Sequence, residues 1–355
     1  MTDRLPKLVA TSVVRGARQG DSHGGIFTID FDNQESVQHV DWNTGEIDFE
    51  GRGADRGLRG IAFDGDNIYV AASDELFCYD RDFRITASWR NPFLKHCHEI
   101  ARMDRTIFLT STGFDSLLAF DLDKREFTWG MQVARALGGW AGTVFDPRTE
   151  KGPGPINNFH INMVFVDGSG VYLSGLRTKA MLHMNSKFEV KEVCNIPVGA
   201  HNAQPWRDGV LVNDTQSDAV RYSGRDGANQ AFRIMTYPED EIQFAGIDDS
   251  KIARQGFGRG LGDKLVERIN AFATGDLTPD LQHGIQRLDR ILVDHRHVLG
   301  PELAQLATGH RRQFAAVGGD PAAFAGPAAA AFNALDTAAS VKLHDERARK
   351  GFRIS

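Results

Sequence analysis

The sequence predicts an all-β protein, a β-propeller of five blades, on three observations: a repeat of four short apolar runs, tryptophans that close the fourth run, and turn residues at matching places. Period-two alternation over short runs rich in Val, Ile, Phe and Tyr is the pattern of strands packed on both faces. Four such strands per repeat make one blade.

The N-terminal runs LVATSVV, GIFTIDF and SVQHVDW read as a blade that lacks its inner strand. Residues 59–90 give the first full repeat, RGIAFDGD, NIYVAASD, ELFCYDRDF and RITASWR. Residues 98–130, 160–193 and 201–236 repeat the plan, and Asp, Gly, Asn and Ser mark the turns between runs. Trp42, Trp89 and Trp129 each close a fourth run. Residues 255–262, QGFGRGLG, resemble the GLRGIAF start of the first full repeat and are expected to supply the missing inner strand, closing the ring. A sixth blade, built from sequence after Gly262, stays open as an alternative. From Asp263 the apolar period changes to near 3.6, as in TPDLQHGIQRLDRILV, with Thr278 capping a helix before Pro279. The Ala-rich stretch FAGPAAAAFNALDTAAS reads as a packed helix or a weakly ordered tail. The chain therefore divides into a propeller over 1–262 and a helical extension over 263–355.

With 355 residues, 41% hydrophobic and 25% charged, the chain can bury a sizeable core. A net charge of −6 without a dominant Lys or Arg run argues against nucleic acid as a partner. The first residues lack the pattern of a signal peptide and no apolar stretch reaches membrane-spanning length, so a cytoplasmic protein with no membrane partner is expected. Cys78, Cys97 and Cys194 are too few and too odd in number for a disulfide framework.

Inner strands line the central channel, so residues at one register of successive blades form a ring around it. Arg59, His98, His160 and His201 all stand at the first position of an inner strand, and Arg259 is their counterpart in 255–262. Three neutral imidazoles converging on one point suit a divalent transition metal, with iron favoured and copper, zinc or nickel as alternatives, and leave a position for water or substrate. Each histidine alone would otherwise satisfy a strand-end backbone group. His96 turns to the side of His98 but precedes the strand, and Cys97 between them reads as a small packed residue. Glu99 is turned away from the axis by alternation, yet remains a candidate base or a partner that orients an imidazole.

His23, in a loop on the same face, is a fourth ligand, a substrate contact or a turn residue. Arg56, Arg59 and Arg259 suit a carboxylate or other anion, or else pair with an aspartate such as Asp55. Two long connections, 131–159 and 237–258, are expected to lie over the histidine face. From the first, Trp140 and Phe145 would build an apolar wall. Asn158, Asn162, Asn202 and Gln204 either direct amides at a polar substrate or serve as turn and strand-end residues. His183 falls in a third strand away from the axis, and the DHRH run at 294–297 reads as a solvated helix end.

The phrases SHGGIF, GLRGIAF, AASDELF, KHCHEI and STGFDSLLAFDL resemble a group of uncharacterised bacterial propeller proteins over roughly residues 20–260. That resemblance implies the fold and no particular reaction. The histidine ring is also similar in concept to carotenoid cleavage oxygenases, which hold iron on a propeller axis with four histidines. Only His98, His160 and His201 match that idea, and the blade count and loops differ. The expected function is a metal-dependent enzyme acting on a small polar or anionic metabolite, an oxygenase or oxidase with iron or copper and a lyase or isomerase with another metal. A metal-free binding module is the alternative. A glycosidase would need paired carboxylates where this chain places His and Arg.

Overall fold

Each sequence repeat folds into an antiparallel sheet whose apolar residues face the neighbouring sheets. The computed structural model describes residues 8–13, 22–30, 33, 35–42, 57–206, 208–233 and 341–343, the last three by backbone alone. Blade one contains β1 (Leu8–Thr11), β2 (Gly25–Asp30) and β3 (Glu35–Asp41). Blade two contains β4 (Ile61–Asp64), β5 (Asn67–Ala72), β6 (Glu75–Tyr79) and β7 (Ile85–Arg90). Blade three contains β8 (Ile100–Met103), β9 (Thr106–Ser111), β10 (Ser116–Asp121) and β11 (Glu126–Ala136), with β12 (Gly139–Phe145) added at its outer edge. Blade four is β13 (Ile161–Asp167), β14 (Gly170–Gly175), β15 (Ala180–Met184) and β16 (Val190–Asn195). Blade five is β17 (His201–Trp206), β18 (Gly209–Asp214), β19 (Ala219–Gly224) and β20 (Asn229–Arg233). A last strand, β21 (Val341–Leu343), pairs antiparallel with β1 and completes blade one. The inner strands β21, β4, β8, β13 and β17 lie side by side in that order, which makes the molecule a five-bladed propeller.

The cores lie between blades. Ile26 and Ile61 join blades one and two, Leu76 and Phe120 blades two and three, Leu117 and Leu173 blades three and four, and Met163 and Val210 blades four and five. Removing a side chain of that size from water is worth about 1.5–3 kcal/mol. The tryptophans that close the fourth runs work the same way. Trp42 meets Phe77 at 4.9 Å, Trp89 meets Phe120 at 4.8 Å and Trp129 meets Phe188 at 5.1 Å, so each leans on the following blade. Gly60 lets blades two and three approach on the channel side, because a Cβ there would lie 2.4 Å from the backbone nitrogen of Ile100.

Two expectations need correction. The inner position of blade one is taken by Val341–Leu343 rather than by residues 255–262, which lie outside the described residues. Strand closure uses backbone hydrogen bonds, which are blind to the side-chain phrase that suggested QGFGRGLG. The connection 131–159 is not a plain loop either. β11 runs on past the blade to Ala136, turns at Leu137 and Gly138, and returns as β12. Alternation continued through MQVARA and GWAGTVF, and Gly138 and Gly139 adopt the positive φ that this turn requires. The helices expected within 263–355 lie outside the described residues, apart from Val341–Leu343, which are extended. Among the described residues the helical element is a single 3-10 turn at Thr112–Phe114, and no helix is long and apolar enough to cross a membrane.

Candidate functional site

The candidate site forms where inner strands begin, and the segment leading into β13 shows how its side chains are positioned. The turn at Thr112–Phe114 ends on Asp115, held at φ 46°. The buried Asp115 carboxylate accepts the backbone N–H groups of Asn158 at 2.6 Å, Phe159 at 3.0 Å and His160 at 2.9 Å. Gly113 O accepts from Ile156 N at 3.0 Å. Three N–H groups on one carboxylate fix this strand start, and His160 itself adopts φ 56°, so a turn rather than the strand pleat aims its ring.

The three imidazoles share one feature. His98 Nδ1 lies 2.7 Å from His96 O and 2.8 Å from Thr112 Oγ1. The carbonyl can only accept, and the threonine hydroxyl already donates to Ile161 O at 2.5 Å, so Nδ1 carries the proton. His160 Nδ1 lies 3.1 Å from Asn157 Oδ1, an oxygen that also accepts from Arg177. His201 Nδ1 lies 2.7 Å from Thr215 Oγ1, whose hydroxyl donates to Gly199 O at 2.8 Å. In every case Nδ1 donates, so in the neutral imidazole the lone pair falls on Nε2. The rings of His98 and His160 meet edge to face, with centroids 5.1 Å apart. Among the described residues, no three His, Cys, Asp or Glu side chains stand close enough together to hold one metal ion.

Beside the imidazoles lies a second polar group. Glu99 Oε2 accepts from Asn202 Nδ2 at 3.3 Å, Asn202 Oδ1 accepts from Gln204 Nε2 at 2.7 Å, and Glu99 Oε1 accepts from Ile100 N at 3.0 Å. Blades three and five are not neighbours, so the Glu99–Asn202 bond crosses the channel. Glu99 therefore faces the axis, which corrects the expectation from ideal alternation. The residues before β8 are not yet in a regular pleat, and both Glu99 and Asn202 are buried.

The remaining candidates are placed as follows. Arg59 is buried before β4, where its N–H bonds to Ala71 O at 2.8 Å and its carbonyl accepts from the Thr11 hydroxyl. His23 is buried between β1 and β2, with its N–H on Trp42 O at 3.0 Å. Trp140 is tied to blade four: Nε1 donates to Glu192 Oε1 at 2.7 Å, Arg135 lies over the ring, and Phe159 meets it at 4.8 Å. Phe145 packs on Phe93 at 5.0 Å. Asn158 is held through its backbone, by Asp115 and by Arg177 Nε on its carbonyl at 2.6 Å. His183, on β15, packs at a tilt against Tyr172 of β14, away from the channel. Cys97 is fully buried in the core between blades two and three, and burial pushes its thiol up to about 12. Arg56 and Arg259, like Asp55, 237–258 and 294–297, lie outside the described residues.

Sequence reasoning missed Thr112, Asn157, Asp115 and Thr215. The signal for the threonines is present, because Thr112 and Thr215 each stand 14 residues after the histidine they serve.

No protein-family model matches the chain. A stretch of 35 residues, 10% of the chain, is 64% identical to thymidylate kinase from Gloeobacter violaceus, and 33 residues are 61% identical to thymidylate kinase from Latilactobacillus sakei. Those stretches span only 16% and 15% of the two kinases. Among solved structures, virginiamycin B lyase from Staphylococcus aureus is similar at 11% identity and TM-score 0.36, over 51% of this chain and 57% of that one. A putative 6-phosphogluconolactonase from Bacteroides fragilis follows at 9% identity and TM-score 0.40, over 65% and 82%. A protein of unknown function from Bacteroides caccae has 11% identity and TM-score 0.41, over 68% and 76%. Likenesses this distant carry no argument about the channel, whose reading rests on its own side chains.

Proposed function

We propose that the histidine end of the channel is the working site of a metal-dependent enzyme for a small polar or anionic metabolite. His98, His160 and His201 would hold a divalent transition metal, iron first, with copper, zinc or nickel as alternatives. The observation that carries this reading is the common tautomer: each Nδ1 is committed to an acceptor, and a partner on one ring nitrogen that leaves the lone pair on the other is how metal-ligating imidazoles are oriented. Among the described residues no three such side chains are grouped around one point, so holding an ion would require these imidazoles to adjust. Iron or copper would supply oxidation by dioxygen, and zinc or nickel a Lewis acid for lyase or isomerase chemistry. Glu99, held by the Asn202 amide and the Ile100 N–H, would move a proton or orient a ring. Arg59 would hold an anionic group of the substrate.

The test is elemental analysis of protein purified without chelator or affinity tag, beside His160→Ala. Near-stoichiometric metal in the parent and its loss in the folded variant is the expected result. Unchanged metal content in the variant would defeat the assignment. Background metal in both proteins would instead favour the second reading, a metal-free binding module.

A further inference from the structure

Register shifts displace one residue in each of two neighbouring inner strands. In β13 the shift falls between Ile161 and Met163, and in β17 between His201 and Gln204. Ile161 packs into the core shared with blade three and Met163 into the core shared with blade five. Asn162, between them, belongs to neither core. It is 6% exposed, and neither its amide nitrogen nor its amide oxygen has a hydrogen-bond partner among the described residues. The hydroxyl of Ser174, opposite Met163 on β14 and fully buried, is in the same condition. Asn202, at the corresponding shift of β17, is different, because Glu99 and Gln204 take up its amide.

A buried amide without partners costs stability that an apolar residue of the same shape would not. Natural chains carry such a cost where a ligand meets it. We propose that Asn162 is a substrate-specifying residue of the channel, and that its carboxamide takes a neutral group that donates and accepts at once, a hydroxyl or a carboxamide of the metabolite. An amide presents one donor and one acceptor side by side. A carboxylate would leave its oxygen unmet and an ammonium its nitrogen. The proposal rests on the reading of this channel as a substrate site, and it does not need the metal.

The experiment compares Asn162→Leu with Asn202→Leu, and then titrates the full chain with acetamide and with glycerol. Urea midpoints for Asn162→Leu at or above the parent, with a lower midpoint for Asn202→Leu, are expected. A midpoint for Asn162→Leu as low as that of Asn202→Leu makes Asn162 a structural residue and overturns the proposal. Either probe should shift the Asn162 side-chain amide signals of the parent saturably by NMR. Ligand-observed saturation transfer should show that binding at least tenfold weaker in Asn162→Leu. Acetamide alone binding assigns a carboxamide, glycerol alone a hydroxyl, and neither probe shifting the signals overturns the ligand class. Metal content separates the two readings, since Asn162→Leu keeps whatever metal the parent holds and His160→Ala does not.

Discussion

At the scale of single residues, the channel is governed by what sits behind each imidazole. Thr215 accepts the Nδ1 proton of His201 while donating to Gly199 O, so its hydroxyl acts as acceptor and donor at once. Thr215→Val keeps the shape and removes that acceptor. On the proposed function, metal affinity measured by competition with a chelator falls about 10–100-fold in Thr215→Val and recovers in Thr215→Ser. The histidines themselves were legible in the sequence because a repeat puts like residues at like positions. The residues behind them were legible only in part. A spacing of 14 from each histidine finds Thr112 and Thr215, but from His160 it finds Ser174, and the register shift in β13 sets Ser174 opposite Met163 instead. The orientation of Glu99 was beyond ideal alternation for a related reason: turns and bulges at strand starts are set by carboxylate and carbonyl partners elsewhere in the fold, which one strand's sequence does not contain.

At the scale of elements, four strands per repeat, the three tryptophans and the order of blades followed from sequence, since alternation and large buried side chains are local signals. The closing strand and the β11–β12 hairpin were the elements misread, one because backbone pairing carries little sequence information and the other because a long connection was taken for a loop. The blade-to-blade contact at Gly60 makes a direct test of channel packing. In Gly60→Ala the added methyl meets the backbone of Ile100, which cannot swing aside as a side chain would. The expected loss is about 1–3 kcal/mol in urea denaturation. A variant as stable as the parent would mean that blades two and three separate more easily than their geometry implies.

At the scale of the whole molecule, stability should fall in alkali for an identifiable reason. Burial first, then Cys78 and Asp64, push the Tyr69 phenol up to about 12 from 10.0, and burial raises Tyr79 as well. The folded protein keeps these protons where the unfolded chain releases them. The contribution is therefore complete below about pH 10 and is lost as pH rises toward about 12. The urea midpoint is expected to drop between about pH 10 and pH 12, and to drop less in Tyr69→Phe. An equal drop in that variant would exclude Tyr69 as a source. The completion of blade one by Val341–Leu343 also bears on how the protein is made. During synthesis on the ribosome β1 emerges early, while the strand that covers it emerges after all the other blades. Until then a nascent chain carries an uncovered sheet edge able to pair with another copy, so the ring closes only after blades two to five have been made.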